Sequence, residues 1–347
     1  MRALYAMKLG GDSPLANLEF GERPDPDPGP GQVRIRVRAA TLNHHDYWTL
    51  KGIVGHPVVP PRILGCDASG VVDSYGPDPP QGSLPPGSDV AVYPVTFCGS
   101  CAACRGGDPM LCRTFYMLSD GPIDGSFAEF LVAPAQNVVP KPPSLSHEEA
   151  ACLGTTYLTA YRMLFTKADV RPGARVLVQG AGGGLATAAI ALAAAAGATV
   201  IASSRSEEKL ARSQRLGAHD AVLAGPDAAR QILSMTNGEG VDAVIESVGE
   251  PTWGTSLRAV RPGGAVVVAG ATAGPNPPAD LARIFWRQLR ILGSTEGTLD
   301  EFESLLRFVE SKKMKPAIDT VYPFDQAMTA FERLASGDFF GKLVLRL

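Results

Sequence analysis

The 347-residue chain lacks an excess of charge of either sign. Its 32 Lys and Arg stand against 35 Asp and Glu, a formal net charge of -3, which leaves no electrostatic footprint for nucleic acid or an anionic membrane. It lacks an export-type apolar run at its start, where Met1-Arg2-Ala3-Leu4-Tyr5-Ala6-Met7 is followed directly by Lys8. It lacks internal repeats and, beyond one Ala-rich stretch, low-complexity tracts. Only one uncharged stretch, Val176 to Ser204, is long enough to cross a bilayer. Its Gln179, its glycines and its many alanines are too weakly apolar to drive insertion. With 45% apolar and 19% charged residues, the chain is excluded from the disordered class and has material for packed cores. Its length suggests two domains.

What is present starts with six cysteines: Cys66, Cys98, Cys101, Cys104, Cys112 and Cys152. Four of them follow the spacing C-x2-C-x2-C-x7-C. In a long chain without an export signal such a cluster points to a metal more than to disulfides, and to a reducing, cytoplasmic setting. Four thiolates close a tetrahedral zinc site with no open position, so Cys98, Cys101, Cys104 and Cys112 are expected to hold one structural zinc per chain. Iron–sulfur ligation is the rival, since it also uses four thiolates.

The first third of the chain reads as β structure. Val33, Ile35 and Val37 alternate with Arg34, Arg36 and Arg38, the period of a half-buried strand. Further strands are expected at Gly70–Val72, Val90–Tyr93 and Phe127–Val132. The texture changes at Ser146-His147-Glu148-Glu149, a capping box, followed by helical sequence to about Lys167. Strand and helix then alternate. Val176–Gln179 is a strand and Leu185–Ala196 a helix. Val200–Ser203 is a strand and Glu207–Leu216 a helix, with strands again at Ala243–Ser247 and Ala265–Ala269. This spacing predicts a parallel, doubly wound α/β sheet. A helix near Leu299–Ser311 and a strand at Lys342–Leu347 complete the chain.

Between the first strand and helix of that alternation lies Gly180-Ala181-Gly182-Gly183-Gly184-Leu185-Ala186. A tight glycine turn opening into a helix N-terminus lets backbone N–H groups meet a pyrophosphate. The end of the second strand reads Ser203-Ser204-Arg205-Ser206, with Lys209 one turn later. No carboxylate stands there to hold a ribose 2′-hydroxyl, whereas hydroxyls and a guanidinium suit a 2′-phosphate. The turn therefore predicts NADP(H).

These pieces, in this order, resemble the medium-chain dehydrogenase/reductase superfamily. The likeness is carried by Gly65-Cys66-Asp67-Ala68-Ser69-Gly70, the four-cysteine lobe, Gly125-Ser126-Phe127-Ala128-Glu129-Phe130, Thr155-Thr156-Tyr157-Leu158-Thr159-Ala160, the Gly180 turn and Gly341-Lys342-Leu343-Val344. The run Phe285 to Ser294 resembles the quinone-oxidoreductase-like, zinc-binding dehydrogenase branch. The resemblance implies a GroES-like β-rich catalytic domain, 1–147 and 291–347, with its zinc lobe at 95–115. It implies a Rossmann cofactor domain at 148–290, with Thr155 and Thr159 among the cofactor contacts.

One family feature is lacking. Zinc alcohol dehydrogenases of the superfamily hold a catalytic zinc with three protein ligands, and the positions here carry Asn43, Cys66 and Thr155. An amide and a neutral hydroxyl are poor zinc ligands, which leaves Cys66, with Asp67 as a further carboxylate. The resemblance therefore implies an NADPH-dependent reductase of quinones, α,β-unsaturated carbonyls or related activated carbonyls working without catalytic zinc. Asn43 is expected to donate to the developing oxyanion and His45 to supply the proton. Asp46 is expected either to orient a histidine or to close its loop. Tyr47, Trp48 and Phe285 are either pocket-lining or core. An alcohol or aldehyde dehydrogenase with a nonstandard metal, and a non-catalytic NADPH-binding protein, are the alternatives. The resemblance and the open sheet edge at Arg290–Gly293 together imply a homodimer or a dimer of dimers.

Overall fold

A computed structural model describes residues 1–53 and 58–347. The chain divides into two compact units, Met1–Thr156 with Thr298–Leu347, and Tyr157–Gly297. These boundaries fall later in the chain than the expected 147/148 and 290/291. The capping-box helix His147–Ala151 packs on strands of the first unit. The strand Arg290–Gly293 pairs with Val260–Val268 in the parallel sheet of the second unit. Hydrogen bonding and burial, rather than the change in sequence texture, set where each unit ends.

The first unit is built on a seven-stranded sheet. Its longest strand, Gln32–Thr41, pairs antiparallel with Asp67–Tyr75 on one side and with Phe130–Pro134 and Lys342–Arg346 on the other. Val33, Ile35 and Val37 are buried while the arginines between them are not. The alternation stops at Ala39-Ala40-Thr41, all buried. There Ala39 packs with Ala151, Cys152 and Val344, so both faces of the strand are covered and small side chains make room for the helix. Pairing of Val344 with Thr41 brings the C-terminal strand beside the start of the helix His44–Leu50.

The second unit is a six-stranded parallel sheet. Its strands lie in the order Asp220–Leu223, Thr199–Ser204, Arg175–Val178, Val241–Glu246, Val260–Val268 and Arg290–Gly293. This is the doubly wound order in which the first strand is central and the order of strand addition reverses beside it. The uncharged stretch Val176 to Ser204 is here a strand, a turn, a helix and a second strand. The helix Gly184–Ala195 is buried along most of its length, because its alanines allow close approach to the sheet. Among the described residues no helix is long and apolar enough to cross a membrane.

The helix expected to run to Lys167 is present but uneven. It passes through two π-helical turns, Leu153–Tyr157 and Arg162–Lys167. The strand Asp220–Leu223 and the helices Ala228–Met235 and Glu250–Ala259 had no counterpart in the sequence reading.

Candidate functional site

The strands Val95–Thr96 and Tyr116–Met117 pair antiparallel and close the base of the cysteine lobe. Cys101 precedes the short helix Ala102–Arg105, which carries Cys104, and Cys112 follows the turn Pro109–Leu111. The sulfurs of Cys101 and Cys104 are 3.5 Å apart, those of Cys98 and Cys112 3.6 Å, and those of Cys98 and Cys104 3.9 Å. All four lie within 4.8 Å of one another. A tetrahedron with Zn–S bonds of about 2.3 Å has edges of about 3.8 Å, so the residues fit a single zinc. A multi-iron cluster would place the thiolates on separate irons and hold them farther apart. The Cys101 N–H donates to Cys98 Sγ at 3.3 Å, an interaction that favours the thiolate a metal requires.

In the second unit the Gly180 turn leaves the central strand Arg175–Val178. The Ala181 N–H donates to the Ser203 carbonyl at 2.8 Å, tying the turn to the next strand. Gly182 has φ +132°, and a Cβ there would lie 2.6 Å from Lys209 Cδ, so the Lys209 stem lies over the turn. Gly183 precedes the helix Gly184–Ala195 with no side-chain cap and open space where a Cβ would stand. No side chain thus caps the first N–H groups of this helix, which suits them to a pyrophosphate. At the end of the second strand Ser204 is buried and Arg205 exposed. Ser204 Oγ accepts from the Ser206 N–H, and Ser206 Oγ caps the helix Glu207–Leu216 by accepting from the Lys209 N–H. Gly180, Ala181, Gly182, Gly183, Gly184, Leu185, Ser204, Arg205 and Lys209 thus lie at or beyond the C-terminal ends of the adjacent strands Arg175–Val178 and Thr199–Ser204. Thr159 is buried in the helical segment Leu158–Tyr161.

In the first unit a buried polar knot forms around Asp67. Its Oδ1 accepts from the Thr155 N–H at 2.7 Å and from Thr155 Oγ1 at 2.8 Å. Its Oδ2 accepts from Thr41 Oγ1 at 2.9 Å and from Asn43 Nδ2 at 2.8 Å, and lies 3.6 Å from Lys342 Nζ. Lys342 also donates to the Leu42 carbonyl and to Asn43 Oδ1. Asn43 Nδ2 further approaches Cys66 Sγ and the Thr41 carbonyl, each at 3.4 Å. Asp67 and Lys342 are a buried ion pair whose remaining hydrogen-bond positions are filled, the condition under which burying two charges is tolerable.

This arrangement corrects the expectation for Asn43. Its oxygen accepts from Lys342 and its N–H groups point at Asp67, Cys66 and Thr41, so the amide ties the knot together and offers no unengaged donor to a reacting oxygen. Thr155, expected among the cofactor contacts, directs its N–H and hydroxyl to Asp67. Asp46 takes the second of the two roles foreseen for it: its carboxylate accepts from the Asn43 N–H at 2.7 Å and closes the start of the helix. Burial pushes its pKa up to about 7, against the pull of His45 and of that N–H.

The histidine partner is Asp120. His45 Nε2 lies 3.1 Å from its carboxylate, with the Asp120 side chain almost fully enclosed and His45 18% exposed. Burial opposes a charge on His45. The hydrogen bond and charge of Asp120, with Asp46 and Asp67 behind it, outweigh burial and hold the imidazole above its ordinary value. Sequence reasoning missed Asp120, which follows Ser119 in a turn at φ +78° and reads as an ordinary loop acid. It also missed the role of Lys342, which reads as a solvated residue at a strand end. Tyr47 and Trp48 are half-buried, and Phe285 is 68% exposed, so it is not core in this chain. Among the described residues the four lobe cysteines are the only group of three or more His, Cys, Asp or Glu whose ligand atoms converge.

Comparison with known proteins agrees with these two units. Residues 29–143 match the alcohol dehydrogenase GroES-like domain, and residues 184–311 match the zinc-binding dehydrogenase family. A zinc-type alcohol dehydrogenase-like protein of Schizosaccharomyces pombe is 34% identical over 317 residues, covering 89% of each chain. Crotonyl-CoA carboxylase/reductase of Cereibacter sphaeroides is 31% identical over 326 residues, covering 85% of this chain and 75% of that protein. The crystal structure of an NAD-dependent alcohol dehydrogenase superposes over the whole of both chains with a TM-score of 0.93 at 39% identity. A GroES-like unit and a Rossmann unit, a lobe of four converging cysteines and these relatives together establish that the chain belongs to the medium-chain dehydrogenase/reductase superfamily of NAD(P)-dependent oxidoreductases.

Proposed function

We propose that the chain is an NADPH-dependent reductase of quinones, α,β-unsaturated carbonyls or related activated carbonyls, with one structural zinc in the cysteine lobe and no catalytic zinc. The observation that carries this reading is the polar knot. Where zinc alcohol dehydrogenases of the family place ligands, this chain has an amide, a thiol and a hydroxyl. The nearby carboxylate of Asp67 is already engaged by four hydrogen bonds and an ammonium.

Bound NADPH would supply the hydride, with its pyrophosphate on the Gly180–Gly184 turn and its 2′-phosphate beside Ser204, Arg205 and Lys209. Reduction of an enone or quinone leaves negative charge on the acceptor, and that charge needs a proton. His45 supplies it: Asp120 holds Nε2–H, so the cationic ring presents its other proton at Nδ1. Asn43, Asp46 and Thr155 act by position. Asp46 fixes the helix that carries His45, and Asn43 and Thr155 fix Asp67 and Lys342 beneath it. The crotonyl-CoA carboxylase/reductase relationship supports an activated double bond as acceptor. The NAD-dependent structural neighbour shows that this fold also serves the other cofactor, so the reading of NADPH rests on this chain's Ser204-Arg205 turn.

The chain is further proposed to form a homodimer or a dimer of dimers. Among the described residues Arg290–Gly293 is the last strand of its sheet, with one edge unpaired, and Ile291, Leu281, Phe285 and Trp286 on and before it are exposed. The activity is tested by following NADPH loss with a panel of quinones, enones, aldehydes and ketones. Turnover with quinones or enones well above that with simple alcohols and aldehydes supports the reading. Turnover confined to alcohol oxidation overturns it.

A further inference from the structure

Glu246 ends the strand Val241–Glu246, next to the central strand of the cofactor sheet. It is fully buried and forms no ion pair among the described residues. A buried carboxylate without a cation is costly unless its lone pairs are filled, and here they are. Oε1 accepts from the N–H groups of Val248 at 2.8 Å and Gly249 at 3.2 Å, and from Thr252 Oγ1 at 2.9 Å. Oε2 accepts from Thr252 Oγ1 at 2.9 Å and from Ser256 Oγ at 2.7 Å. The negative charge also sits at the N-terminal end of the helix Glu250–Ala259, where it is favoured.

Both sides of this carboxylate lead to the phosphate turn. On one side its grip on the Val248 N–H fixes the residue whose Cγ2 would lie 2.6 Å from a Cβ at Gly180. On the other, Ser256 Oγ accepts from Gln179 Nε2 at 3.1 Å, and Gln179 is the residue immediately before Gly180. The Gln179 N–H is in turn held by the Ile245 carbonyl.

We propose that Glu246 is a positioning residue for cofactor binding: through Val248 and through Ser256–Gln179 it sets the start of the pyrophosphate turn. The proposal rests on the reading of Gly180–Gly184 as the dinucleotide cradle. It says more, because it assigns the shape of that cradle to an ionised carboxylate that touches no ligand. A glutamine has the same size but carries an NH2 group that can only donate. Its oxygen can take the place of Oε1 toward the two backbone N–H groups, but its NH2 then stands at Oε2 and donates, so Ser256 Oγ, which already accepts from Gln179 Nε2, loses the acceptor of its own proton.

The test uses two probes on the full-length protein, NADPH and adenosine 2′-monophosphate. The second carries the 2′-phosphate but no pyrophosphate. Wild-type binding of NADPH establishes the cradle itself, and its absence overturns that underlying reading and this proposal with it. E246Q is expected to weaken NADPH by about tenfold while leaving adenosine 2′-monophosphate within about twofold of wild type. S256A removes the Gln179 connection together with one donor to Oε2 and leaves the Val248 and Gly249 N–H contacts in place; it is expected to give a smaller loss of the same selectivity, and it decides the matter if E246Q does not fold. If E246Q, or S256A in its place, leaves NADPH affinity unchanged or weakens both probes equally, the proposal is overturned: Glu246 is then part of the unit's general stability only.

Discussion

At the scale of single residues, the proposed proton donor, His45, is distinct from the groups that hold it. His45 is partly open to solvent, as is Thr155, whereas Asn43, Asp46, Asp67, Asp120 and Lys342 are all buried. Asp120 favours the imidazolium, so it raises the pH up to which His45 carries the proton. Activity that needs cationic His45 is therefore expected to fall as pH rises through a value above 6.5, and the falling limb should move to lower pH in Asp120→Asn, where the carboxylate charge is gone. The profile of kcat/KM against pH for an enone substrate checks this, and an unmoved limb would assign the limb to another group. His45→Ala is expected to lower turnover by about 10²–10⁴, the usual range for a general acid, with NADPH affinity nearly unchanged. Nothing in the sequence singled out Asp120, because a charge-bearing turn residue and a buried hydrogen-bond acceptor look alike until the fold brings the latter to its partner. Cys66, Asp67, Asn43 and Thr155 were legible as a group from the family's motif positions, but their mutual hydrogen bonds were not. That left Asn43 with a role as donor that its contacts do not allow.

At the scale of elements, the glycine turn and the strand that follows it were readable almost to the residue. Periodicity, glycine and a cap all agree there, as in Glu207–Leu216 closed by Gly217 at φ +125°. Agreement among such signals is what makes a segment legible. Where one signal was missing, elements were lost. Asp220–Leu223 is short, and Glu250–Ala259 opens with Pro251 and contains Gly254, so neither advertises its state; tertiary packing and Glu246 decide it. The two π-helical turns flanking Leu158–Tyr161 have no sequence mark, and the first is where the Thr155 N–H turns to Asp67. The end of the second strand carries its own prediction. Ser204→Asp combined with Arg205→Gly supplies a carboxylate for a 2′-hydroxyl and removes a charge that attracts a 2′-phosphate, so preference should move from NADPH toward NADH. Titration of both cofactors into wild type and variant checks this; equal affinities in the wild type would show the turn misread.

At the scale of the whole molecule, both units were anticipated in kind, since alternating strands and helices and a Pro- and Gly-rich β region announce different layers. Their limits were not, because strand pairing places Arg290–Gly293 in the cofactor sheet. That same strand leaves one backbone edge open, flanked by exposed Phe285 and Trp286. Sedimentation at micromolar protein is expected to give a dimer or tetramer, with Ile291→Lys shifting it toward monomer; a wild-type monomer would contradict the assembly. The central claim concerns the metal. The measurement is zinc content and NADPH-dependent turnover of a quinone or enone on one sample, before and after dialysis against a chelator that spares the cysteine lobe. The account predicts one zinc per chain throughout and unchanged turnover. Two zincs per chain, with activity lost as the second leaves and restored when zinc returns, would contradict it.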